Sequence, residues 1–171
     1  MLFRSSGDFR GRPGPEGEDV GKSIHNIADY LGERMGQGIQ AEFLEEGLRV
    51  MADADHLERI LDNLIRNAID AGATTFRFQV SGTEDWVQIR GRDNGKGIRE
   101  KKGKGLDWIF EKGRSGKGST GLGLWICKGI VEAAGGTLTV TSEIGEGTEF
   151  AVILPRARRQ SFDSEDGHSL G

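Results

Sequence analysis

Cysteine is almost absent from this sequence of 171 residues, and Cys127 is the single example. One cysteine excludes an internal disulfide framework and a metal site built from several cysteines. The apolar neighbours Leu124, Ile126 and Ile130 recur at helical spacing around it. This pattern predicts that Cys127 lies in the core of a helix and does not act as a nucleophile.

Long hydrophobic runs are also missing. No apolar stretch approaches the ~20 residues of a membrane-spanning helix, and residues 1–12 lack the apolar segment of a secretory signal. Apolar residues make up 35% of the chain and charged residues 29%, as in ordinary soluble proteins. We therefore expect one compact domain with a real core and a cytoplasmic location.

Proline is scarce, and its three occurrences lie near the ends of the predicted domain. Residues 1–18 combine proline, glycine and charge with few apolar side chains, which predicts a flexible lead. Residues 156–171 are equally polar and are predicted to form a flexible tail. The domain itself is expected to span residues 19–155.

Apolar periodicity between these ends predicts three helices. The first carries apolar residues at helical spacing from Val20 to Met35, and the second begins after a capping Asp53 and ends at Gly72. The third helix is predicted from about Gly121 to Ala134, where a glycine pair would end it.

Short alternating segments predict strands between the helices. Strand candidates are residues 39–44 and 48–51, the alternating pair around 76–80 and 87–89, and a final hairpin around residues 145–147. Helices and antiparallel strands in these proportions predict an α+β fold. We expect a two-layer α/β sandwich, in which about three helices cover one face of a mixed, mostly antiparallel sheet.

Charge is unevenly distributed along the chain. Residues 90–117 contain ten basic and four acidic side chains, a net charge of +6, although the whole chain carries −4 and the remainder therefore −10. A local positive field on an acidic body favours capture of a small polyanion over binding to nucleic acid. A solvated basic loop is the alternative.

The second predicted helix carries a polar line beside its apolar stripe. Asn63, Asn67 and Asp70 lie at positions i, i+4 and i+7 and therefore share one face. A solvated face would explain them. Alternatively, an amide oxygen at Asn67 helps to hold a hard cation such as Mg²⁺, which prefers oxygen ligands.

A glycine-containing turn follows the second alternating strand, with the sequence Asp93-Asn94-Gly95-Lys96-Gly97. A buried carboxylate at the strand end could accept a hydrogen bond from an exocyclic amine. The glycines would let the backbone approach a flat ring closely. Taken alone, the motif is also a common turn.

Two further glycine motifs follow. Residues 116–124, Gly-Lys-Gly-Ser-Thr-Gly-Leu-Gly-Leu, lead into the third helix, and freed backbone N–H groups at a helix start can cradle phosphate. The pattern matches neither a P-loop nor a dinucleotide fingerprint. Residues 145–150, Gly-Glu-Gly-Thr-Glu-Phe, would alone be a hairpin turn.

The order and spacing of these four elements resemble the Bergerat-fold ATPase superfamily, and within it the histidine kinases, over residues 19–155. The resemblance implies binding of ATP and Mg²⁺, with Asn67 as the metal ligand and Asp93 on the adenine amine. It further implies a mobile lid over residues 96–118, in which Lys117 contacts the γ-phosphate. The other implied nucleotide-site residues are Asn63, Asp70, Gly95, Gly97, Ile98, Phe110, Ser119, Thr120, Gly121, Leu122, Gly123, Leu124 and Thr148, and Ile109 would accompany Phe110.

The branch of this superfamily follows from position 63. Members that hydrolyse ATP place a glutamate four residues before the metal-binding asparagine, whereas this chain has Asn63, which cannot act as a base. We therefore expect transfer of the γ-phosphoryl group to a histidine on a separate dimerisation domain, and from there to a response regulator.

The isolated chain is expected to be a monomer with negligible activity alone, although Asn63 and Lys117 would belong to the catalytic machinery. His25 is an unfavoured candidate for the phosphoacceptor, because too little chain follows it to complete a helical hairpin. A degenerate module that binds nucleotide and acts through protein contacts is the alternative function.

Overall fold

The architecture is an α/β sandwich in a computed structural model that describes residues 9–31, 38–113 and 122–158. Five strands form one sheet, and their order across it is β2 (Ile39–Phe43), β4 (Phe76–Gly82), β5 (Trp86–Asp93), β7 (Gly147–Pro155) and β6 (Thr137–Glu143). Only β2 and β4 are parallel, and the other three pairs are antiparallel. Three α-helices belong to the described residues. The predicted α+β class and the mixed sheet are therefore confirmed.

The helices are α1 (Val20–Leu31), α2 (Ala54–Asp70) and α3 (Gly123–Ala133). Asp53 caps α2 as predicted, because its carboxylate accepts hydrogen bonds from the backbone N–H groups of Asp55 and His56. The described part of α1 ends at Leu31, and the predicted extension to Met35 lies outside the described residues. No helix in the described ranges is long and apolar enough to cross a membrane.

The sheet consists of β2 (Ile39–Phe43), β4 (Phe76–Gly82), β5 (Trp86–Asp93), β6 (Thr137–Glu143) and β7 (Gly147–Pro155). Alternate residues of the central strands are buried against the helices, as the period of two predicts. On β5 this inward face carries Val87, Ile89 and finally Asp93. The fold therefore places a carboxylate on the core side of the sheet, at the end of a central strand.

The core lies between the inward face of the sheet and the apolar faces of the helices. Three buried phenylalanines come from the sheet, Phe76, Phe78 and Phe150. The apolar stripe of α2 from Leu57 to Ala68 is buried against them. Cys127 of α3 belongs to the same core, as predicted, and burial raises the pKa of its thiol to about 12.

A second, two-stranded sheet joins β1 (Glu18–Asp19) to β3 (Arg49–Val50). Arg49 holds both flanks of the domain at this point. Its guanidinium donates to the carbonyl oxygen of Gly17 at 2.9 Å, and its own carbonyl accepts from the N–H of Ala157 at 2.9 Å. Positions 17 and 157 are therefore neighbours in space.

Parts of the predicted lead and tail make contacts that composition does not indicate. The Phe9 ring meets Trp125 of α3 edge-on at 5.3 Å, and the backbone N–H of Arg12 donates to Asp53 at 2.9 Å. Near the other end, Arg156 forms an ion pair with Glu45 at 2.7 Å. The domain boundaries at residues 18 and 155 stay predictions.

Candidate nucleotide-binding site

Asp93 is the buried acid at the end of β5. Only 4% of the residue is exposed. Its Oδ1 accepts hydrogen bonds from the backbone N–H of Gly95 at 2.7 Å and of Thr148 at 3.3 Å. Within the described part of the chain, Oδ2 has no hydrogen-bond partner, so this oxygen can accept from a ligand.

Burial raises the pKa of the Asp93 carboxyl above its ordinary value of 3.8, and the two backbone N–H donors oppose this shift. The cause is desolvation, which disfavours the charged form of a buried acid. Hydrogen bonds to the carboxylate favour the charged form. A ligand that brings another donor would therefore stabilise the ionised Asp93.

Asn94 has a structural task in the same turn. Its Oδ1 accepts from the backbone N–H groups of Thr74 and Thr75 at 2.8 and 3.0 Å, and its Nδ2 donates to the Thr74 hydroxyl at 2.9 Å. The adjacent Lys96 N–H donates to the carbonyl of Ala71, which caps α2, at 3.0 Å. These bonds fix the loop that carries Asp93 to the end of α2.

Two glycines let this loop lie directly against the β6–β7 hairpin. Gly97 has φ of +78°, and a Cβ placed on it would overlap the carbonyl group of Glu143. Gly147 has φ of +135°, and its Cβ would overlap the carbonyl group of Asp93. Both positions therefore require glycine for conformation and for space.

A serine that the sequence does not single out joins the two segments. The Ser142 hydroxyl lies 2.8 Å from the backbone N of Ile98, 3.0 Å from the carbonyl oxygen of Gly147 and 2.8 Å from the hydroxyl of Thr148. Thr148 is itself buried. One side chain thus links the loop after Asp93 to the hairpin that covers it.

The polar line on α2 begins beside the start of α3. Asn63 Oδ1 lies so close to Gly123 that a Cβ there would be 2.7 Å away, and its Nδ2 donates to the carbonyl of Arg59 at 2.9 Å. The Asn63 side chain also opposes the effect of burial on the pKa of the Cys127 thiol. Asn63 therefore connects α2 with α3.

Asn67 lies one turn further along the same face of α2. The Asn63 end of this face meets α3, and the Ala71 end meets the Asp93 loop, about 12 Å away along the helix axis. Asn67 is half-buried and has no side-chain hydrogen bond among the described residues. Asp70 is exposed. The side-chain amide oxygen of Asn67 is therefore available as a ligand for a hard cation.

Phe110 packs between β7 and α3. Phe110 ends a short 3₁₀ helix (Asp107–Phe110) and is buried with Ile109. The Phe110 ring meets the ring of Phe150 edge-on, with 6.5 Å between the ring centres. Phe150 lies two residues after Thr148 on β7. Lys128 Nζ lies 4.6 Å from the centre of the Phe110 ring. The predicted site residue Phe110 is therefore anchored to β7 and α3.

The described part of the predicted lid, residues 96–113, uses several of its cations in local contacts. Lys104 pairs with Glu111 at 2.7 Å, and Lys101 lies 4.1 Å from the centre of the Trp108 ring. The Trp108 indole N–H donates to the carbonyl of Arg99 at 3.1 Å. This part of the segment therefore has a defined fold beside the site.

A family model described as "Histidine kinase-, DNA gyrase B-, and HSP90-like ATPase" matches residues 52–158. That range covers more than half of the chain and contains Asp93, Asn67 and the hairpin with Thr148. The chain belongs to this ATPase family. The resemblance identified from the four sequence motifs is thereby confirmed.

Curated relatives of this ATPase-family chain are sensor kinases. The alginate biosynthesis sensor protein KinB of Pseudomonas aeruginosa is 35% identical over 127 residues, which cover 72% of this chain and 21% of KinB. The sensor histidine kinase WalK of Bacillus subtilis is 35% identical over 133 residues, which cover 71% of this chain and 21% of WalK. The chain therefore spans about a fifth of the length of these relatives.

Solved structures agree with this assignment. The catalytic domain of the histidine kinase ThkA superposes with a TM-score of 0.70 at 27% identity, covering 81% of this chain and 95% of that domain. Full-length ShkA in complex with AMPPNP gives a TM-score of 0.68 at 27% identity, covering 82% of this chain and 31% of ShkA. The ATPase-family domain thus has the fold of histidine kinase catalytic domains.

Within this ATPase-family domain, the predicted site residues fall into three groups. Asp93, Gly95 and Thr148 are in direct contact, and Ile98 joins them through Ser142. Asn63 contacts Gly123, while Leu122 and Leu124 are half-buried at the start of α3. Lys117, Ser119, Thr120 and Gly121 lie outside the described residues, and so does the part of the predicted phosphate cradle that precedes Leu122.

Ser142 is the residue of this site that motif reasoning does not identify. One signal in the sequence points to it. Leu138, Val140 and Ser142 alternate along β6 and share its inward face, so that a hydroxyl stands where the pattern predicts an apolar side chain. A hydroxyl on this half-buried face needs hydrogen-bond partners, and here the partners belong to the two site loops.

Proposed function

We propose that this chain is the ATP-binding catalytic domain of a sensor histidine kinase. It binds Mg-ATP and transfers the γ-phosphoryl group to a histidine on a separate dimerisation domain, from which a response regulator takes it. The observation that carries the proposal is the buried Asp93, whose Oδ1 is held by two backbone donors while Oδ2 has no partner among the described residues.

Asp93 would recognise the exocyclic amine of adenine. Among the described residues, Asp93 Oδ2 does not belong to the buried atoms without a partner, so this oxygen is open to an incoming group. The amine of adenine can therefore donate to it. Burial raises the pKa of Asp93. A hydrogen bond donated by the amine would oppose this shift, because donors favour the ionised carboxylate. Gly95 and Gly97 would bring the backbone beside the ring, and Thr148 would contribute to the same wall of the pocket, next to Asp93.

The phosphates would lie along the polar face of α2, towards the start of α3. In this direction the face offers the Asn67 amide, and then Gly123 at the first turn of α3. A helix start provides backbone N–H groups and a positive dipole end for anions. AMPPNP, bound by the similar ShkA, is an analogue of ATP, which supports this class of ligand.

Asn67 would hold the Mg²⁺ ion. Among the described residues there is no group of three or more His, Cys, Asp or Glu side chains that could bind a metal. The ion would therefore rely on the amide oxygen, the phosphates and water, which is how Mg²⁺ is usually bound at nucleotide sites. The bound ion would neutralise charge that develops on the phosphates.

Transfer is favoured over hydrolysis because Asn63 occupies the place of a catalytic base. Its amide group cannot take a proton from water, and its oxygen faces Gly123 while its nitrogen donates to Arg59. Catalysis would then consist of positioning the phosphates and stabilising their charge. Lys117, proposed as a contact of the γ-phosphate, would contribute to this stabilisation.

The acceptor histidine would come from another domain. His25 lies on the exposed side of α1, where its side chain is 77% exposed and 3.5 Å from Asp29. It is thus a surface residue of a helix that packs on α2 through its other face. The proposed partners are the dimerisation domain and, indirectly, a receiver domain, with this module acting as a cytoplasmic monomer.

Nucleotide binding is tested with two aspartates at opposite ends of β5. Asp93→Asn removes the charged acceptor, and calorimetry should show ATP affinity reduced by about 10- to 100-fold, as expected for a hydrogen bond to a charged group. Asp85→Asn is the matched control, because within the described ranges the Asp85 carboxylate pairs with the exposed Arg158 and with no other side chain. Equal affinities of both variants, or an unmodified chain that binds no ATP, would refute the proposed site.

Transfer is tested by mixing the chain with labelled ATP and the dimerisation domain of a homologous sensor kinase. We expect acid-labile label on the added domain, with no dependence on His25→Ala and with loss in Asp93→Asn. Phosphate release without the added domain should stay at background. ATP binding without any label on the added domain would instead support the module that senses nucleotide through protein contacts.

A further inference from the structure

Ser142 has one proton and three hydrogen-bond partners, and the chemistry of these partners decides the direction of each bond. The Ile98 N–H can only donate, and the Gly147 carbonyl can only accept. Ser142 therefore receives the Ile98 N–H at 2.8 Å and gives its own proton to Gly147 at 3.0 Å. The Thr148 hydroxyl, at 2.8 Å, must then be the donor to Ser142.

This arrangement determines whether the Thr148 hydroxyl can donate or only accept further hydrogen bonds. Its hydroxyl proton is committed to Ser142, and its backbone N–H is committed to Asp93 Oδ1 at 3.3 Å. What Thr148 has left to offer is lone pairs on Oγ1. The hydroxyl of Thr148 and the carboxylate of Asp93 therefore form a group of acceptors beside each other.

We infer that Ser142 is a positioning residue that sets the base specificity of the site by keeping Thr148 an acceptor and by holding the backbone at Ile98. The inference rests on the proposed binding of ATP. A group of acceptors suits the exocyclic amine of adenine, which is a donor, and opposes the keto oxygen that guanine carries at the same place. Ser142 would act without touching the nucleotide.

Removing the hydroxyl has three consequences. In Ser142→Ala the Ile98 N–H and the Gly147 carbonyl lose a partner, and Thr148 becomes free to turn its proton towards the base. Leaving buried groups unsatisfied is costly. We therefore expect ATP affinity to fall about tenfold and the preference for ATP over GTP to fall by about the same factor.

The experiment measures ATP and GTP affinities by calorimetry for the unmodified chain and three variants. Ser142→Ala should show a preference for ATP over GTP that is about tenfold lower than that of the unmodified chain. Ser142→Thr, which restores the hydroxyl, should regain the original preference. Thr141→Ala is the matched control, because Thr141 lies exposed on the opposite face of the same strand. The ratio of the two affinities does not change if part of a variant is unfolded, since both nucleotides meet the same folded fraction.

A double-mutant cycle locates the effect. If Ser142 acts through the Thr148 hydroxyl, Ser142→Ala should no longer change the preference when Thr148 is replaced by valine. An ATP-to-GTP ratio in Ser142→Ala equal to that of Thr141→Ala would overturn the inference. An unmodified chain that binds neither nucleotide would overturn the proposed function instead, so the two failures are distinguishable.

Discussion

Replacing Gly97 by alanine isolates the close approach between the loop after Asp93 and the β6–β7 hairpin. Alanine at φ of +78° costs about 1 kcal/mol because of the left-handed conformation. Its methyl group would also overlap the backbone carbonyl of Glu143. Relieving such an overlap costs a further ~1–3 kcal/mol, so we expect the free energy of unfolding to fall by about 2–4 kcal/mol.

Gly145→Ala is the matched control for this variant. Gly145 has φ of +83° and lies in the adjacent hairpin turn, with nothing within 4 Å of an added Cβ. It should therefore lose only the ~1 kcal/mol of conformational cost. Urea unfolding gives both values from the midpoints when the slopes agree. Equal midpoints for the two variants would show that the loop does not press on the hairpin and would refute this packing.

Four further predictions concern three side chains. ATP affinity, measured by calorimetry, should weaken as pH falls towards 3.8, because Asp93 has a raised pKa and becomes protonated above that pH. Asp93→Asn should show no such dependence. The same raised pKa means that the folded state binds the extra proton, so stability relative to Asp93→Asn should be lost as pH rises through that range. Asp53→Ala should lower the free energy of unfolding in urea by ~1 kcal/mol because α2 loses its cap. Asp53→Ser should keep most of this stability, because serine also caps helices. Asn94→Ala should cost ~1–3 kcal/mol by the same measurement, since Thr74 and Thr75 lose their acceptor, while Asn94→Asp should cost less.

Each of these predictions has an outcome that contradicts it. A pH profile of ATP binding that is the same with and without the Asp93 carboxyl would show that another group titrates. A stability difference between the unmodified chain and Asp93→Asn that does not change with pH would show that folding does not raise the pKa of Asp93. Asp53→Ser as unstable as Asp53→Ala would mean that the cap does not stabilise α2. Equal losses in Asn94→Ala and Asn94→Asp would mean that the two accepted hydrogen bonds contribute little.

Local patterns were sufficient to predict the elements that carry the site. The stripe from Leu57 to Ala68 and the cap at Asp53 predict α2 correctly, because periodicity and capping are properties of neighbouring residues. Alternation likewise predicts β4, β5 and the final hairpin. The position of Asp93 at a buried strand end follows from the same alternation.

Contacts between distant segments could not be predicted in this way. The parallel pairing of β2 with β4 joins Ile39 to Phe76, and no local pattern encodes that partner. The contact of Phe9 with Trp125 also depends on tertiary packing. Ser142 was missed for a related reason, since its role arises from three partners that only the folded chain brings together.

Gly17 and Ala157 are both hydrogen-bonded to Arg49. Their closeness has a use in protein engineering. A linker of a few residues could join these two positions, and the chain could be reopened at the exposed turn around Gly103. Such circular permutation succeeds where flanking positions are adjacent and the new ends interrupt no helix or strand. The same adjacency would let the domain be inserted into a surface loop of a host protein while the two halves of the host stay together.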